Sequence, residues 1–91
     1  MPLFDLLVLK TQGWWDHYVS SRRDYQAKLG ADIVDIDALL DRAKEEGVDY
    51  DDECAVFRHS FDFMDWALEL AHRFVQIHRR WGKWKAIGFP L

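Results

Sequence analysis

The sequence predicts an all-α fold: three to four helices packed around one long helix, about residues 51–81, with an extended apolar tail at the C-terminus. Three observations lead there. Apolar residues recur at helical spacing in each longer segment. Gly30, Gly47 and Gly82 stand where those segments stop. Of the 91 residues, 49% are apolar and 15% aromatic, which excludes intrinsic disorder and supplies a small core. One domain spanning residues 1–91 follows, hiding roughly 60–65% of the surface its unfolded chain exposes.

Taken in order, Pro2 suits the first position of a helix, where its missing N–H costs nothing. Leu3, Leu6, Leu7 and Lys10 continue at helical spacing; a short strand over Leu6 to Leu9 would have nothing to pair with. Gly13 is expected to break or bend this segment. A second helix runs from Trp14 to Leu29 with Trp14, Tyr18, Tyr25 and Leu29 on one face, and Gly30 stops it. The third, Ala31 to Gly47, is capped by Asp32 or Asp35 and turns Ile36, Leu39, Leu40 and Ala43 inward. Gly47 ends it, and Val48 is placed for the apolar contact of a Schellman stop. Residues Asp49 to Glu53 then offer a cap and several carboxylates to the positive end of the next helix, so that helices three and four form an antiparallel hairpin.

That next helix is the predicted centre. Over about eight turns, Val56, Phe57, Phe61, Phe63, Met64, Trp66, Ala67, Leu68, Leu70, Ala71, Phe74, Val75, Ile77 and Trp81 cover more than half of its circumference. Arg58, Asp62, Asp65, Glu69, His72, Gln76 and Arg79 form the polar remainder. An apolar arc of that width needs cover from several sides, more than the short helices of one chain comfortably supply. Self-association or a heteromeric complex is the expectation. Beyond Gly82, Gly88 and Pro90 argue against a helix, so Trp84, Ile87, Phe89 and Leu91 are expected on an extended tail that docks in pockets.

The motifs that carry chemistry are few. Glu69-x-x-His72 has the spacing of carboxylate-bridged metal bundles, but it occurs once and on the polar strip. His78 projects into the apolar arc, where a packed histidine outweighs a metal or haem ligand. Cys54 is the single cysteine, so no internal disulfide forms and a reducing, cytoplasmic setting is expected. Its acidic neighbours oppose activation of the thiol. Ser20, Ser21 and Ser60 lack the surroundings of a nucleophile, and Asp49 to Glu53 lacks the spacing of a calcium loop. No apolar run reaches the length of a membrane span, and the N-terminus lacks signal-peptide character.

Charge is unevenly spread. Residues 32–53 hold ten acids against Arg42 and Lys44, a balance of −8; residues 72–91 hold five bases and no acid, within a net charge of −4. Basic residues with aromatics at Arg79, Arg80, Lys83, Trp84 and Lys85 admit single-stranded nucleic acid or an anionic membrane surface, though the acidic remainder repels phosphate. The functional expectation is a non-catalytic interaction protein with no cofactor: an accessory or regulatory subunit, or an inhibitor, of a larger complex. Trp14, Trp15, Trp81 and Trp84 are the expected anchors, and Asp49, Asp51 and Asp52 would steer a basic partner. The rival classes are a nucleic-acid module and a metal- or haem-binding helical protein.

Overall fold

A computed structural model describes residues 2–20, 28–55, 60–79 and 81–91, with Ala55 and Phe61 described by backbone alone. Among these residues there are five helices: α1 (Leu3–Val19), α2 (Leu29–Glu45), α3 (Tyr50–Ala55), α4 (Phe61–His78) and α5 (Trp81–Ala86). The all-α class stands. The single long helix and the extended tail do not.

Gly13 does not break α1. Phe4, Leu7, Val8, Thr11 and Trp14 form one buried stripe running straight past it. Their packing outweighs the roughly 1 kcal/mol that glycine costs in a helix interior. Thr11 is sealed in that stripe because its hydroxyl donates to the Leu7 carbonyl at 2.8 Å. The first residues of the second predicted helix, Trp14 to Val19, are therefore the last turn and a half of α1, with Ser20 as its C-cap; residues 21–27, Tyr25 among them, lie outside the described residues. Gly30 is likewise no stop but sits in the first turn of α2.

The C-terminus of α2 follows the sequence closely. Gly47 adopts φ 74°, and the Val48 and Gly47 amides donate to the Ala43 and Lys44 carbonyls, the paired bonds of a Schellman stop. Asp49 then caps α3, its carboxylate accepting from the Asp51 amide at 2.9 Å.

The long helix is interrupted at both ends of its middle portion. Ser60 is extended (ψ 158°) and its hydroxyl accepts from the Phe63 amide at 3.1 Å, so α4 begins there as a separately capped helix. The stretch Ser60-Phe61-Asp62 carried that signal: a cap followed by an acid in the first turn. Of the predicted arc, Val56 and Phe57 lie outside the described residues. At the other end Arg79, in the left-handed region (φ 56°, ψ 43°), closes α4 three residues before Gly82.

The expected tail is helix α5 followed by a second Schellman stop. Gly88 has φ 89°, and the Phe89 and Gly88 amides donate to the Trp84 and Lys85 carbonyls. The apolar contact that goes with this motif joins Phe89 to Trp84, ring centroids 4.9 Å apart and edge-on. Gly88 thus ends a helix, as Gly47 does, where the sequence reading took it to forbid one.

This turn closes the molecule. The Tyr50 amide donates to the Ile87 carbonyl at 2.8 Å, and Phe89 reaches Tyr50 (4.8 Å) and Phe4 (6.0 Å). α1 packs along α2 and across α4, and α5 packs on α2. Met64, Ala67, Leu70, Ala71, Phe74 and Val75 of α4 are buried by the chain itself, with Trp84 and Ile87 beside them in the core. The radius of gyration, 12.8 Å, matches the roughly 12 Å of a compact chain this long. Among the described residues, most of the apolar arc is therefore covered by the chain itself, with Ile77 and Trp81 left exposed at its end. No described helix is long and apolar enough to cross a membrane.

Candidate functional site

The last turns of α1 and α4 meet at one end of the bundle. Trp14 and Trp15 stand about 100° apart on α1, so they cannot both point inward. Trp14 goes in: it is fully buried, set edge-on against Phe74 (5.0 Å) and His78 (5.4 Å). Its indole N–H donates to Nε2 of His78 at 3.0 Å. An accepting Nε2 puts the proton of a neutral His78 on Nδ1 and engages one of the two nitrogens through which a histidine can bind a metal.

Trp15 goes to the edge. Tyr18 stacks on both tryptophans, at 5.7 Å with interplanar angles of 20° to Trp15 and 27° to Trp14. The guanidinium of Arg73 lies 4.5 Å from the Trp15 ring centre, a cation–π contact. Arg73 is held there by an ion pair with Glu69 one turn back. Tyr18 remains 40% exposed and is flanked by exposed Val19; Ile77, one turn beyond Arg73 on α4, is also exposed. The arrangement is a partly exposed aromatic surface with a guanidinium paired to Glu69, of the composition that concentrates binding energy at protein interfaces.

Beside it, His17 Nδ1 and Asp32 Oδ2 lie 2.5 Å apart, joining the end of α1 to the start of α2. Asp32 is buried. Among the described residues, one surface groove is lined by Leu6, Lys10, Asp35, Ala38 and Leu39 and another by Leu40, Asp41, Lys44, Gly82, Lys83 and Ala86.

The residues singled out in the sequence are distributed differently from their expected roles. Trp14 and Trp84 are core residues, enclosed by their own chain, which removes them as partner anchors. Trp15 is half-buried, and Trp81 is 38% exposed with the Lys85 ammonium 5.7 Å from its ring centre. Asp49 is occupied as the cap of α3, while Asp51 and Asp52 are exposed. Of the basic cluster, Arg79 is exposed and Arg80 lies outside the described residues. Lys83 pairs with Asp41 at 3.2 Å and Asp37 at 4.0 Å. The acidic middle and basic end of the chain thus partly neutralise each other within the fold, which weakens α5 as a phosphate-binding surface. Glu69 is taken by Arg73. Cys54 is exposed; its thiol, second to burial, helps push the Tyr50 hydroxyl up to about 12.

Two members of the aromatic end were not anticipated as partner contacts. Tyr18 shares a predicted face with Trp14, Tyr25 and Leu29, and its place one turn after Trp14 and Trp15 is the signal that draws it in. Arg73 carried no local signal, because its role depends on α4 crossing α1. No protein-family model matches the chain, and no curated protein or solved structure matches it either.

Proposed function

We propose that this chain is a non-catalytic protein-interaction module, an accessory or regulatory component or an inhibitor of a larger assembly, that engages its partner through the aromatic end. The observation that carries the reading is the Trp15–Tyr18–Arg73 ladder with exposed Val19 and Ile77 around it. Stacking and the Glu69 pair hold these side chains in place beforehand, so binding loses little side-chain entropy. Trp81, with Lys85 over it, is a second exposed anchor. Asp51 and Asp52 favour a partner with basic residues nearby. A lone cysteine, which forms no internal disulfide, supports a reducing compartment such as the cytoplasm as part of this reading.

The test is affinity capture from the native host with the wild-type chain and with a Trp15→Ala/Tyr18→Ala variant of unchanged helical spectrum. A discrete protein recovered in near-stoichiometric amount with the first, and at least tenfold less with the second, supports the reading. Equal recovery by both removes the aromatic end from the interface.

A further inference from the structure

A second face of the molecule is built on another plan. α1 and α2 lie antiparallel, since Lys10 pairs with Asp35 and, further along α1, His17 meets Asp32 earlier on α2. Their solvent side carries Leu6, Leu9 and Gly13 from α1 and Ala31, Val34 and Ala38 from α2, each trio at three-then-four spacing and without a charge. Leu9 is 46% exposed and Val34 66%. A furrow of about 310 Å³ runs between the helices, with Lys10 and Asp35 in its wall. Among the described residues, a Cβ on Gly13 would meet nothing within 4 Å, so their packing gives no reason for a glycine there.

We propose that this face receives a second copy of the chain about a two-fold axis parallel to α1 and α2. In a two-fold pair one patch must complement itself. Rotation about such an axis keeps every residue at its height along the bundle and sets α1 of one protomer against α2 of the other. Lys10 and Asp35 share one height, because they pair at 3.1 Å. Lys10 of each protomer therefore meets Asp35 of its partner, and two ion pairs become a four-charge ring of alternating sign. Asp37 and Asp41 turn to Lys83, and Asp51 and Asp52 sit on α3, away from the face; exposed Asp16 and Glu45 stand at its two ends, Asp16 accepting from the Gln12 amide. The open side of Gly13 is where the second backbone comes close.

Two 17-residue helices, each about 25 Å long and together about 20 Å wide, present roughly 500 Å² per copy. That doubles to about 1,000 Å², the low end for specific association. This face is separate from the aromatic end, and either site can fail without the other.

Sedimentation equilibrium of the full chain across the micromolar range is the measurement. Expected is a monomer–dimer equilibrium that Leu9→Lys or Ala38→Glu weakens more than tenfold, with unchanged helical spectra. Lys10→Asp and Asp35→Lys should each lose association alone and regain it when mixed in equal amounts, because the mixture sets two acids of one copy against two bases of the other. A wild-type chain that stays monomeric overturns the proposal. So does a dimer indifferent to both apolar-face variants, or folded charge variants that associate alone as the wild type does or fail to associate when mixed.

Discussion

Replacing Trp84 separates a residue that closes the core from one that waits for a partner. Trp84 is 1% exposed, with Phe74 and Phe89 rings at 5.8 and 4.9 Å. Trp84→Ala removes a large fully buried side chain and leaves a cavity, at a cost of about 3–5 kcal/mol. A domain of this length has about 5–14 kcal/mol in all, so the melting temperature should fall by roughly 15 °C or more. Trp84→Phe should behave quite differently. The buried indole N–H has no acceptor among the described residues, and removing such an orphan returns about 1–3 kcal/mol. The smaller ring forfeits roughly 1 kcal/mol of burial and a comparable cavity term. The two effects nearly cancel, and phenylalanine should lie within about 1 kcal/mol of wild type. Urea and thermal unfolding followed by far-ultraviolet dichroism gives both numbers. A Trp84→Ala protein that melts like wild type, or a Trp84→Phe protein as damaged as the alanine variant, would refute the placement of α5 in the core.

Three further outcomes follow from the geometry. Gly13→Ala should stabilise the monomer by about 0.5–1 kcal/mol, because the position is mid-helix and the added methyl meets none of the described residues; a destabilised variant in thermal melts would contradict the continuous α1. Gly88→Ala should cost about 1–3 kcal/mol by urea titration, since φ is 89° and the new Cβ would stand 2.9 Å from an Asp49 carboxylate oxygen; an unchanged midpoint would argue against the second Schellman stop. The Tyr50 hydroxyl, at about 12 in the fold against an ordinary 10.0, keeps its proton between those values while the unfolded chain loses it. The unfolded state then binds fewer protons, so stability should fall as pH rises from 10 toward 12, and Tyr50→Phe should remove that part of the fall. Unfolding curves of the two proteins at alkaline pH that decline in parallel would count against it.

Local signals were legible wherever backbone chemistry decided the outcome. Gly47 with Val48, and Asp49 ahead of α3, could be read directly because a left-handed stop and a side-chain cap depend on a few neighbouring residues. The same grammar at Trp84–Gly88–Phe89 was present but masked by Pro90, and at Ser60 by a run of aromatics that looked continuous. Gly13 shows the opposite failure. A weak local penalty was overridden by a buried stripe whose continuity only the packed helices reveal. Arg79 gave no warning, since arginine has no preference for the left-handed region it occupies.

The site was half legible for a similar reason. Composition marked the tryptophans as important, yet it could not say which are sealed and which face outward. That division depends on where α4 and α5 cross α1 and α2. Trp14 and Trp84 went to the core, Trp15 and Trp81 to the surface, and Arg73 reached Trp15 only through a tertiary contact. Lys83 likewise looked available for phosphate until α5 was laid against Asp37 and Asp41.

The division of the tryptophans is the claim on which both the fold and the choice of interface depend, and indole hydrogen exchange tests it most directly. In protein carrying ¹⁵N-labelled tryptophan, the indole N–H signals of Trp14 and Trp84 should exchange at least a hundredfold more slowly than that of Trp81, on the order of what core burial confers. Rapid exchange at Trp84, or protection of Trp81 equal to that of Trp14 in the monomer, would contradict it.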